Sequence, residues 1–123
     1  MKLTYNKTEK LKSKKEIEAL FLKGKSVSAW PLRLVYLKNE KTNKVGVSVS
    51  KRNFKLAVDR IRIKRLLREA YRLNKPFLKN NNIEGFSFMI LYNNKEMPDF
   101  NLINSKVKTL FTKFNDQNSK VKE

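Results

Sequence analysis

Between Lys51 and Arg72 the chain sets nine cations against two acids, Asp59 and Glu69. Lysine and arginine at that density do one kind of chemistry well. They neutralise phosphates and release the counterions condensed on a polyanion. At about five phosphate contacts, log affinity against log salt would fall with a slope of about −4 to −5. A solvated helix face is the plainer alternative. Such faces usually mix signs, because opposite charges one turn apart support the helix. Here only Arg65 and Glu69 have the look of such a pair.

The element that must carry these cations is a helix. The stretch AVDRIRIKRLLREAYR contains no glycine or proline, and its apolar residues recur at helical spacing. At ~100° per residue, Leu56, Ile63, Leu66, Leu67 and Ala70 share one arc and face the core. Lys64, Arg65, Arg68 and Arg72 fall opposite, with Arg62 at the edge. Arg60 lies near the core border, where its stem could snorkel. Ile61 sits in the middle of the basic arc. A lone exposed isoleucine is unremarkable on its own, though it could pack on a ribose or a base. The predicted helix runs from about Leu56 to Leu73, and NKPFLKNNNIEG ends it as a polar loop.

Around this helix the pattern predicts an order α, two or three β, α, β, α. A first helix opens at Ser13 with Glu16 three residues on, the spacing of a capping box. Ile17, Leu20 and Phe21 form its apolar stripe, and Gly24 stops it. PLRLVYLK is a strand that alternates imperfectly, and a short extra strand has room around Val27. KVGVSVSK alternates cleanly, with Val45, Val47 and Val49 on one face and Gly46, Ser48 and Ser50 on the other. So small a second face predicts an open surface available to a ligand. FSFMILY is nearly all apolar and reads as a buried central strand. Pro98 and Asp99 start a last helix with Ile103, Val107, Leu110, Phe111 and Phe114 inward. Residues 1–11 read as a flexible basic arm and residues 116–123 as a frayed tail of one domain spanning 1–123.

Composition narrows the function. The 123 residues carry 29 Lys and Arg against 11 Asp and Glu, a net charge of +18, which favours a nucleic acid or an anionic membrane as partner. No apolar run approaches the length of a membrane span or of a signal peptide's apolar region, so the expected compartment is the cytoplasm. There is no His and no Cys. That excludes the commonest general base, every His-dependent triad and thiolate chemistry. The acids are scattered, so a metal-dependent nuclease acting alone lacks the carboxylate cluster it would need. Strands, rather than a short helix and tight turn, precede the basic helix. That argues against a DNA-reading helix-turn-helix and for RNA.

The stretch VGVSVSKRNFKLAVDRIRIKRLLREAYRL resembles the protein component of bacterial ribonuclease P. The resemblance runs through Val45, Gly46, Ser48, Val49, Ser50 and Lys51 of the strand end. It continues through Ala57, Val58, Arg60, Arg62, Lys64, Arg65, Arg68 and Glu69 of the helix. LKSKKEIEALFLKGKSVS is similar to the family's first helix with its Phe-x-x-Gly ending, so the likeness covers about residues 11–115. Two positions depart from the pattern. Ile61 stands where the family has an asparagine, and Ile17 where many relatives place an aromatic.

The resemblance implies an α+β two-layer sandwich of order α-β-β-β-α-β-α with a left-handed βαβ crossover, against the usual right-handed preference. It implies an accessory subunit whose catalytic partner is an RNA using Mg²⁺, acting on precursor tRNA to remove the 5′ leader, with no catalytic or metal-ligating side chain in the protein. The basic helix would dock on the catalytic RNA through Arg60, Arg62, Lys64, Arg65, Arg68 and Arg72. A groove between the sheet and the first helix would hold the single-stranded leader. Phe21 would stack a base there, Ile17 and Val35 would offer apolar contact, and Ser48, Ser50, Lys51 and Arg52 would meet phosphates. Without the resemblance, helical spacing alone would place Phe21 in the core. A ribosomal or other structural RNA-binding protein is the alternative function. Neither DNA nor membrane is an expected partner.

Overall fold

A computed structural model describes residues 10–11, 13–39 and 42–121. The arm at residues 1–9 lies outside them.

Four strands form one mixed sheet. β1 (Lys25–Ala29), β2 (Leu32–Lys38), β3 (Lys44–Val49) and β4 (Phe86–Tyr92) lie in the order β1-β2-β4-β3. β1 pairs antiparallel with β2, and β2 with β4, while β3 runs parallel to β4. A parallel pair needs a long crossover, and α2 (Ala57–Asn80) supplies it. The short strand around Val27 is therefore real, and FSFMILY is central and buried as its apolar run predicts.

One face of the sheet packs under α2 and α3 (Phe100–Val121). Leu34 and Tyr36 of β2, Val45 of β3, and Phe88 and Ile90 of β4 meet Ile63 and Leu67 of α2 in one cluster. The α3 stripe Ile103, Val107, Leu110, Phe111 and Phe114 closes it, with every member essentially buried. Phe114 meets the edges of Phe88 at 5.3 Å and Tyr36 at 4.6 Å between ring centroids. Each such aromatic contributes roughly 1.5–3 kcal/mol through burial. Between the two helices, the buried Asn74 amide donates to the Ala70 carbonyl and to Asn104 Oδ1, so its polarity is satisfied.

The other face is not fully open. α1 (Lys14–Lys23) lies on it, and Leu20 packs with Leu11, Val35 and Met89. The small residue at Gly46 is explained by this cover, because a Cβ there would stand 2.9 Å from Met89 Cε and 3.5 Å from Leu11 Cβ. Gly24 also serves close approach. Its backbone is extended, and a Cβ would fall 2.2 Å from the Leu20 carbonyl and 2.9 Å from that of Tyr36. The sheet with α2 and α3 makes the two-layer sandwich, and α1 adds a partial third layer. The end of the basic arm is tied down as well: Leu11 donates to the Val45 carbonyl at 3.0 Å and is buried.

Three boundaries differ from the sequence pattern. Ser13 accepts from the Glu16 amide as a cap, but the Glu16 carboxylate reaches Lys44 Nζ at 3.1 Å rather than completing a capping box. α2 does not end near Leu73. It continues through Pro76 to Asn80, since Phe77 and Leu78 still pack against the core and offset the one backbone donor that proline removes. It stops where Asn82 takes φ 56°, with Asn82 donating to the Lys79 carbonyl and Ile83 to that of Leu78, a Schellman ending on asparagine. The third is the tail at residues 116–123. Asp99 caps α3, its Oδ1 accepting from the Leu102 amide, and the helical backbone runs from Phe100 to Val121, beyond the predicted end.

Candidate RNA interface

The sequence of α2 puts its apolar residues on one arc, so burying that arc turns the cations outward. Ile63, Leu67 and Ala70 are fully buried, and Arg62, Arg65 and Arg68 are exposed. Lys64 is half-buried at the border. Among the described residues only two ion pairs form, Lys44–Glu16 and Arg72–Glu69. Arg62, Arg65 and Arg68 therefore face solvent without an acid partner there.

Two expectations on this helix, for Glu69 and for Leu56, are corrected, and Arg60 makes contacts that the pattern did not indicate. Glu69 pairs with Arg72, not Arg65: Arg72 donates through Nε to Glu69 Oε2 at 3.0 Å and through Nη2 to Oε1. That hydrogen bond holds the Glu69 carboxyl below the usual carboxylate range. Arg60 turns back, donating from Nη1 to the carbonyls of Phe54 at 2.7 Å and Lys55 at 3.0 Å. One of its guanidinium nitrogens thus holds the β3–α2 connection. Leu56 is 64% exposed rather than in the core, because it is the N-cap with an extended backbone and the helical wheel does not reach it. Ile61, within the basic arc, is 54% exposed.

The β3–α2 connection is a tight turn. Ser50 accepts Phe54 N–H on its carbonyl and Arg52 N–H on its hydroxyl, each at 3.1 Å. Phe54 is buried with its ring 6.1 Å from that of Tyr92. Anchored at both ends, the turn presents Lys51 and Arg52 to solvent beside the start of α2.

The sheet register shows what α1 leaves uncovered. Ser26, Val35, Met89 and Gly46 form one row across the four strands. α1 sits on that row, and Val35 is 5% exposed beneath it. Val35 is thus part of the packing under α1 rather than a contact surface. The next row, Ser28, Arg33, Leu91 and Ser48, is not sealed. Ser28 and Arg33 are exposed, and Leu91 and Ser48 half-buried. Phe21 stands on α1, 52% exposed, while Ile17 is half-buried against the cluster beneath the helix. Phe21 is therefore not the core residue that its spacing alone would make it. Arg33 and Leu91 were not among the sequence candidates, because only strand register reveals that they share a row with Ser48.

Exposed guanidinium groups, a cationic turn, an exposed aromatic on α1 and an unsealed sheet row are features that a single strand and a folded polyanion can both use. Acid chemistry is sparse: among the described residues no three His, Cys, Asp or Glu side chains gather where a metal could be held. No described helix is long and apolar enough to cross a membrane.

Comparisons with known proteins point to one family. The family model for Ribonuclease P matches residues 5–115. A ribonuclease P protein component of Porphyromonas gingivalis is 40% identical over 107 residues, covering 80% of this chain and 77% of that protein. One from Clostridium kluyveri is 38% identical over 109 residues, covering 85% and 92%. Among solved structures, an RNase P protein from Staphylococcus aureus has a TM-score of 0.71 at 22% identity, over 85% of this chain and 93% of that one. One from Thermotoga maritima has 0.69 at 25% identity, over 83% and 94%. The chain belongs to the ribonuclease P protein family.

Proposed function

We propose that this chain is the protein subunit of ribonuclease P, that it binds the catalytic RNA and the 5′ leader of precursor tRNA, and that it promotes endonucleolytic maturation of the tRNA 5′ end. Family membership supports the subunit role. The observation that carries the rest is the exposed face of Arg62, Arg65 and Arg68, unpaired among the described residues, on a rigid helix continuous with the Lys51–Arg52 turn. Such a face suits a folded RNA with closely spaced phosphates. Arg60 and Arg72 contribute at its margins, each with part of its hydrogen bonding already committed within the protein.

The leader would lie in the groove beside α1, with Phe21 stacking a base, Ile17 lining the wall and Ser48 on the floor. Ser50 would act by shaping the turn that aims Lys51 and Arg52 at the strand's phosphates. The bond-breaking step belongs to the RNA partner in this reading. A chain without His or Cys lacks the commonest general base, and its described residues gather no three-donor cluster. Mg²⁺, held mainly by the RNA, would supply an activated water and stabilise the leaving oxygen. The protein's share is to bind, orient and neutralise. The cytoplasm, where tRNA precursors would be met, is the corresponding compartment, and DNA has no role.

The test is reconstitution with the cognate ribonuclease P RNA at low Mg²⁺. Leader removal should be markedly faster with protein than with RNA alone. An unchanged rate would move the chain to a structural RNA-binding role, and cleavage by the purified protein unaided would revive a protein nuclease.

A further inference from the structure

We infer that Arg33 is the groove's central phosphate clamp, selecting a leader that is single-stranded and charged. This rests on the reading of the groove beside α1 as the leader site. β2 is not an edge strand, so Arg33 is not there to blunt an edge against aggregation, the usual reason for an exposed strand cation. Its row runs Ser28, Arg33, Leu91, Ser48, so the guanidinium sits beside an apolar floor with a hydroxyl-bearing residue at either end. At about 4.8 Å between strands that row spans roughly 14 Å.

Arg33 Nη2 donates to Ser26 Oγ at 3.2 Å. The bond draws the guanidinium toward Ser26 of β1, two residues past the Gly24 cap of α1 and five past Phe21. No acid pairs with Arg33 among the described residues. A planar fork fixed at one corner and lacking a carboxylate suits a phosphodiester, which it can grip through two parallel N–H groups. Arg33 and Phe21 then divide a nucleotide between them, the ring taking the base and the fork the phosphate. A duplex would not fit this division, since its bases are stacked away from the ring.

The experiment measures affinity of the reconstituted holoenzyme for precursor tRNA with a short leader and for mature tRNA, each over a range of salt. Arg33→Ala should weaken binding of the leader-bearing RNA about tenfold and spare mature tRNA. It should also lower the salt slope for the leader-bearing RNA by about 0.7, one single-strand phosphate. Arg33→Lys should restore the slope but only part of the affinity, since it keeps the charge and loses the fork. If Arg33→Ala does not fold, Arg33→Gln, which keeps a donor for Ser26 without charge, reads the same slope. Phe21→Ala separates the two claims. If it weakens leader binding while the Arg33 variants change neither affinity nor slope, Arg33 is no clamp and the groove stands. If neither residue matters to the leader, the groove reading falls and takes this inference with it. Equal loss for both RNAs on Arg33→Ala also overturns the assignment.

Discussion

Arg60 Nη1 lies 2.7 Å from the Phe54 carbonyl and 3.0 Å from that of Lys55. A cation of the basic segment thus ties the helix to the turn that precedes it. The neighbouring Arg62, Arg65 and Arg68 face solvent, so residues of one type and one stretch divide into one tied to the fold and others held outward.

That division predicts a difference in stability. Arg60→Ala removes two charge-assisted hydrogen bonds and should destabilise the fold by about 1.5–3 kcal/mol, read as a lower midpoint in urea. Arg65→Ala, exposed and unpaired among the described residues, should stay within about 0.5 kcal/mol of the parent. Equal midpoints for the two variants would refute the structural role of Arg60.

The double variant Arg65→Ala and Arg68→Ala should behave in the opposite way. Two lost phosphate contacts predict a salt slope for catalytic-RNA binding shallower by about 1.8, with the melting transition unchanged. An unchanged slope would mean that these cations meet solvent and not phosphate.

How much of this was legible in the sequence depends on which residues had to be located. The outward face of Arg62, Arg65 and Arg68 follows from helical periodicity, because Ile63, Leu67 and Ala70 fix the buried arc. Leu56 defeats the same rule, since periodicity holds only inside the helix and Leu56 is its cap. The end of α2 was hidden by Asn-Lys-Pro, which reads as a breaker although Phe77 and Leu78 continue the apolar pattern. The exposure of Phe21 on α1 agrees with the family likeness, whereas the place of Arg33 in an unsealed row could not be read ahead, because membership of a row depends on the register of separate strands. Val35 was misread as a surface. A signal was present: β2 carries Leu34 and Tyr36 on one face and Val35 and Leu37 on the other, and apolar residues on both faces mean cover on both.

Gly24 tests how α1 is held against the sheet. In Gly24→Ala the added methyl would overlap the Leu20 carbonyl at 2.2 Å, and backbone on both sides must give way. A loss of about 1–3 kcal/mol is expected from such overpacking. At Gly46→Ala the contact is the far end of the flexible Met89 side chain at 2.9 Å, so the loss should be smaller. Thermal melts of the two variants give the order, and a larger effect at Gly46 would contradict this packing.

Phe21 and Val35 make the sharpest contrast, because the wall and the packing beneath it can be separated one residue at a time. Val35 is 5% exposed in the cluster with Leu11, Leu20 and Met89. Val35→Ala should cost about 2 kcal/mol of stability through lost burial and a small cavity. At temperatures where the variant remains folded, it should bind leader-bearing and mature tRNA in the parent's ratio. Phe21 is 52% exposed, so Phe21→Ala should cost little stability. Losing one stacked base, worth about 1–3 kcal/mol, it should weaken the leader-bearing RNA about fivefold to a hundredfold relative to mature tRNA. Equilibrium binding of both RNAs to each folded variant decides between them. Leader-selective loss at Val35 with none at Phe21 would place the strand beneath α1 instead of beside it, which the buried contact of Leu20 with Val35 does not allow.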